Sequence, residues 1–157
     1  FLTPYYYSWS FIMTNNEYIK AYQKTQQSTN TVTSSHEIVR TLMKELVNSM
    51  QKLVLDIQDD RARKEDKFIA DTDQDEKNIQ KKSKNLSKSL SIIYGLQTSL
   101  DFDKALEIAN NLFQLYEYCR QEIIKGFSQQ IEDGIIKAID VVKQIMEGWE
   151  EIPSLER

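Results

Sequence analysis

At 157 residues with a net charge of −4, the chain is sized for one domain with a buried core, and its acidic balance argues against the basic face of a nucleic-acid binder. One cysteine rules out an internal disulfide framework and fits a reducing compartment, and with a single histidine it makes a poor start for a zinc site. Four glycines and two prolines leave few breaks, so long helices are expected, and no apolar run is long enough to span a bilayer.

The chain begins with FLTPYYYSWSFI, twelve residues rich in aromatics and free of charge. The stretch has neither the basic start nor the small-residue cleavage site of a signal peptide. Met13-Thr14-Asn15-Asn16 looks like a natural start, so residues 1–12 are read as an added leader or an upstream extension and set aside from the fold. Residues 13–33 read as a flexible N-terminal segment. Tyr18, Ile19 and Tyr22 give one apolar turn, too little to fold alone but enough to dock reversibly, and a polar run of Gln, Ser, Thr and Asn follows.

Ser34-x-x-Glu37 has the form of a capping box, in which the hydroxyl accepts from a backbone N–H and the carboxylate reaches back. The apolar series Ile38, Val39, Leu42, Met43, Leu46, Val47, Met50, Leu53, Val54 and Ile57 predicts a first helix over 34–60. His36, in its first turn, is expected to be an exposed bystander. From Asp59 to Lys77 acids and bases alternate and only Phe68 and Ile69 are large and apolar, which fits either a solvated helix extension or a mobile loop. Asp71-x-Asp73-x-Asp75 invites a calcium-loop reading. That chemistry needs glycine at the sixth position and glutamate at the twelfth, where this chain has Glu76 and Lys82, so no metal site is assigned.

Ile79, Leu86, Leu90, Ile93, Gln97 and Leu100 mark a second helix over 76–100, with Gly95 costing about 1 kcal/mol relative to alanine. Asp101–Lys104 is the break, with Asp103 as the expected N-cap. The third helix, over 104–128, carries two neighbouring stripes: Leu106, Ala109, Phe113 and Tyr116, and then Ile108, Leu112, Leu115 and Cys119. A stripe this wide is either all core or shared between core and partner. If Ala109, Phe113 and Tyr116 face inward, then Ile108, Leu112 and Leu115 are rotated towards a surface groove. After a turn near Ser128–Asp133, a fourth helix over 131–152 shows Ile135, Ile139, Val142, Met146 and Trp149, and Pro153 ends it. The expected fold is all-α: an antiparallel four-helix bundle over 34–153, with the charged stretch near 59–77 as an insertion and a short N-terminal segment packed on it.

Catalysis finds no footing. A di-iron bundle needs two histidines, Cys119 sits on an apolar stripe as an inert buried thiol, no glycine-rich phosphate loop exists, and the carboxylates fall on solvent faces. No enzyme activity, cofactor or metal is expected.

Three groups of residues carry a resemblance. Leu100-Asp101, Glu107-Ile108-Ala109, Asn111-Leu112, Leu115-Tyr116 and Tyr118 resemble the signature of the FliS family, flagellin-specific export chaperones of bacterial flagella. Ala21-Tyr22-Gln23 is similar to the family's N-terminal segment, and Gly148-Trp149-Glu150-Glu151-Ile152-Pro153 to its C-terminal end. The match runs in order from Glu17 to Pro153 and is dense from Ile92 onward. The resemblance implies a cytoplasmic chaperone that binds the disordered C-terminal segment of flagellin, prevents its premature polymerisation and delivers it to the flagellar type III export gate. A helix-in-groove mode suits such a client. The expected groove is Leu42, Leu46 and Met50 of the first helix with Ile108, Leu112 and Leu115 of the third, and the resemblance implies that Tyr18 and Tyr22 lie over it as a displaceable cover. Ala105-Leu106, where many members have Gly-Gly, the bulk at Glu45-Leu46 and the charged insertion depart from the family pattern and bear on the client more than on the fold. The alternative is a generic helical adaptor or a self-associating bundle with an unrelated partner, its wide stripes forming a homodimer seam.

Overall fold

A computed structural model of the chain describes residues 35–66 and 72–151. They form four helices: α1 Ser35–Glu65, α2 Thr72–Thr98, α3 Leu106–Gln129 and α4 Asp133–Glu151, with no strand among the described residues. α1 packs on α2 and α4, and α3 packs on the same two, so the helices close into a ring around one core. Pairs across both seams of α1 run in opposite directions. Ser49, Asp56 and Asp60 of α1 meet Ser89, Asn85 and Lys82 of α2, while His36 and Arg61 of α1 meet Trp149 of α4 and Glu132 before it. The result is the expected antiparallel four-helix bundle.

The core is built from the predicted apolar series. Met43, Leu46, Met50, Leu53 and Ile57 enter from α1, Ile93 and Leu96 from α2, and Ile135, Val142, Ile145 and Trp149 from α4. α3 buries Ile108, Leu112, Leu115 and Cys119 of one stripe and Ala109 and Tyr116 of the other, because it packs against two helices at once and needs an apolar arc wider than a single seam. On α2 the prediction slips: Ile79 is exposed, while Lys82 and Ser89 point inward. Ser89 Oγ lies 2.8 Å from Ser49 Oγ, and each hydroxyl has a backbone carbonyl of its own helix within 3.1 Å, so this polar pair is satisfied inside the core.

The charged stretch is helical on both sides of residues 67–71, which lie outside the described residues. α1 runs on to Glu65 and α2 begins at Thr72, beyond the predicted ends at 60 and 76. Charge pairing supplies what apolar packing does not: Arg63 and Lys64 reach Asp60 within α1, and Arg63 also pairs with Asp75 of α2.

Asp101 organises the turn from α2 to α3, correcting the assignment to Asp103. Its Oδ1 accepts the backbone N–H of Asp103 at 3.0 Å and of Lys104 at 3.2 Å, its carbonyl accepts Ala105 N–H at 3.3 Å, and Ala105 is the N-cap residue. The turn from α3 to α4 closes on Gln130, whose left-handed backbone (φ 54°, ψ 44°) lets Ile131 N–H reach the carbonyl of Gly126 at 3.0 Å. Gly126 is needed there, because a Cβ would lie 2.6 Å from the Ile135 side chain and 2.8 Å from the Ile131 carbonyl. The capping box at Ser34 and the stop at Pro153 lie outside the described residues.

Candidate functional site

The predicted groove residues occupy a different place from the one expected of an open surface. Leu46, Met50 and Leu112 are fully buried, Leu115 and Ile108 nearly so, and Leu42 is half-buried at the margin. Ile108, Leu112 and Leu115 therefore face inward together with Ala109 and Tyr116, and the stripe members that turn outward are Leu106, which is exposed, and Phe113, which is half-buried. The physical reason is the position of α3 between α2 and α4, which periodicity within one helix does not encode. Tyr18 and Tyr22 lie outside the described residues.

Leu55, Ile79, Ile124, Ile131 and Ile136 are exposed singly or in pairs along the bundle, and three more large apolar side chains lie uncovered around the turn from α2 to α3. Tyr94 near the end of α2 is 69% exposed, Phe102 in the turn 37%, and Leu106 at the start of α3 60%. Phe102 meets half-buried Phe113 edge-on, with ring centroids 6.2 Å apart and planes at 62°. Gln97 of α2 binds this region to α3, donating to Glu117 Oε2 at 3.2 Å and to the Phe113 carbonyl at 3.5 Å. Arg120 grips the same Glu117 and, with Gln97, holds its carboxyl below the usual carboxylate range against the opposing effect of burial. Gly95 leaves this side of α2 bare: a Cβ there would meet nothing within 4 Å. Exposed Asp103 and Glu107 border the apolar groups.

The start of α1 and the end of α4 lie at this end too, and His36 joins them. The sequence predicts an exposed bystander at His36, whereas His36 is 7% exposed and stacked on Trp149. The only signal that could have pointed there was the matching position of Trp149 at the opposite terminus of the bundle.

Elsewhere, Asp60, Arg63 and Asn78 form a polar network with Lys82 and Gln130 at the far end. A cleft of about 340 Å³ between α3 and α4, lined in part by Tyr118, Glu122, Lys125, Asp133 and Lys137, carries charges of both signs. Cys119 is buried, donates weakly to the Ala138 carbonyl at 3.7 Å, and has its thiol pushed up to about 12 by burial, so it is unreactive at ordinary pH. Among the described residues no group of His, Cys, Asp and Glu could hold a metal ion, and no helix is long and apolar enough to cross a membrane.

The family model for flagellar protein FliS matches residues 18–156, and the chain belongs to that family. It is 30% identical over 76 residues to the flagellar secretion chaperone FliS of Vibrio cholerae serotype O1, covering 48% of this chain and 56% of the relative. It is 33% identical over 72 residues to the flagellar secretion chaperone FliS of Salmonella typhimurium, covering 45% of this chain and 53% of the relative. The chain thus spans about half the length of the curated relatives it matches. Both relatives are named as chaperones, not as enzymes. No solved structure matches the chain.

Proposed function

We propose that this protein is a cytoplasmic chaperone of flagellar secretion that holds the disordered C-terminal segment of flagellin unpolymerised and passes it to the type III export apparatus. Membership of the FliS family supports the class of activity. The observation that supports the binding mode is the run of exposed apolar side chains Tyr94, Phe102 and Leu106, which lie close together in the chain across the turn from α2 to α3. An amphipathic client segment gains apolar burial there, and it must gain enough to offset the entropy of its own ordering. Phe113 and Leu42, both half-buried, extend the contact. Leu46, Met50, Ile108, Leu112 and Leu115 act as the packed floor that fixes the surface in place. Tyr18 and Tyr22 are the proposed cover, so deletion of residues 1–24 should tighten client binding, since a closed cover lowers apparent affinity by the fraction of time it is closed.

Capture of a purified flagellin C-terminal segment by the full chain tests the reading. Binding by the wild type, lost in Leu106→Glu without loss of helicity, is the expected result. Failure of the wild type to bind flagellin overturns the client, and full binding by Leu106→Glu together with Tyr94→Ala overturns the surface.

A further inference from the structure

We propose that His36 and Trp149 form a latch that makes the first turn of α1 and the last turn of α4 open and close as one unit. The two residues are 113 positions apart in sequence, yet each satisfies the other's backbone. Trp149 lies in the last turn of α4, where carbonyls have no donor four residues on, and His36 Nε2 donates to the Trp149 carbonyl at 3.0 Å. In return Trp149 Nε1 donates to the His36 carbonyl at 3.0 Å. A carbonyl only accepts, so the imidazole carries its proton on Nε2. The rings stack at 5.1 Å with 13° between their planes, and Arg40 pairs with Glu150 one position further on. The C-terminal cap of α4 is therefore supplied by a side chain of α1. The two hydrogen bonds and the ring stack are lost together when either turn moves away.

The same pair carries a built-in penalty. His36 Nδ1 is buried and has no hydrogen-bond partner. An unpaired buried acceptor regains a water when the site opens, so part of the gain from two hydrogen bonds and a ring stack is offset in the closed state. The latch lies at the end of the bundle and is expected to open before its middle, which is held by fully buried leucines, isoleucines and methionines. The chain before Ser35 and the chain after Glu151 both leave from this point, so displacement of one terminal turn is felt by the other.

Hydrogen exchange on the full chain, resolved by segment, tests this. His36→Phe keeps the ring stack but removes the donor and the orphaned nitrogen; Trp149→Phe removes the indole donor. Each variant is expected to speed exchange by about tenfold or more in both 36–40 and 146–151, while 50–57 and 112–119 stay protected. A cooperative unit also requires the double variant to exchange no faster than the more affected single variant. Acceleration confined to the mutated helix, additive effects in the double variant, or unchanged exchange in both turns would each overturn the latch.

Discussion

Lys82 Nζ of α2 sits 3.0 Å from Asp60 Oδ2 of α1, and both residues are only 4% exposed. Lys82 also donates to Gln130 Oε1 at 2.6 Å, so one ammonium joins α1, α2 and the turn after α3. Removing one member of a buried pair leaves the other charge uncompensated, which costs more than the pair itself is worth. Lys82→Met is expected to destabilise the bundle by about 3 kcal/mol, the lower end of the usual range because Arg63, Lys64 and Asn78 still face Asp60. Combining it with Asp60→Asn should recover much of that loss. Urea denaturation of the two single variants and the double variant checks the cycle, and a double variant no better than Lys82→Met would show that the buried charge is not the cause.

The same network predicts sensitivity to acid. Burial raises the Asp60 carboxyl, but donors from Lys82, Lys64, Arg63 and Asn78 outweigh it and hold the group well below the usual carboxylate range. A carboxyl depressed in the folded state contributes stability above its unfolded value of about 3.9, and that contribution drains away as pH falls through the folded value. Stability should decline progressively below about pH 4, with a shallower decline in Asp60→Asn. Parallel acid profiles for wild type and Asp60→Asn would remove Asp60 from the account.

Two helical glycines should respond to alanine in opposite directions. Gly95 is an open site, and Gly95→Ala is expected to add about 0.5–1 kcal/mol by restricting the unfolded chain and improving helix propensity. Gly126 lies where α3 and the start of α4 touch, and Gly126→Ala should cost about 1–3 kcal/mol by forcing Ile135 and the Ile131 carbonyl away. Thermal melts of both variants read the two signs directly.

A charge placed in the core and a charge placed on the rim should also part company. Leu112 is fully buried, so Leu112→Glu buries an unpaired carboxylate and should abolish the cooperative helical melt. Leu106→Glu meets solvent and should keep the melt within a few degrees. A well-folded Leu112→Glu would reopen the idea that this stripe faces a groove.

How legible the bundle is depends on what holds each part together. α3 and α4 show their bounds to within two residues of the apolar pattern, because apolar packing is what terminates them. The end of α1 and the beginning of α2 are hidden in the charged stretch, since Asp60, Arg63, Asp75 and Lys82 stabilise those turns by pairing across a seam and leave no apolar trace. The inward orientation of Ile108, Leu112 and Leu115 depends on α3 having two neighbours, which is a fact of assembly. His36 was unreadable for the same reason: its burial comes from a tryptophan 113 residues away. The exposure of Phe102 and Leu106 follows from their place in and just after the Asp101–Lys104 break, while Leu100 and Ala105 beside them are buried.

Cys119 gives the molecule an internal clock. It is the chain's single thiol, wholly enclosed between α3 and α4, and burial keeps it protonated at ordinary pH. An alkylating reagent added to the native protein will label it only after the interior has parted. The rate of labelling at high reagent concentration therefore measures how often the interior opens, in the unaltered sequence and without an added probe.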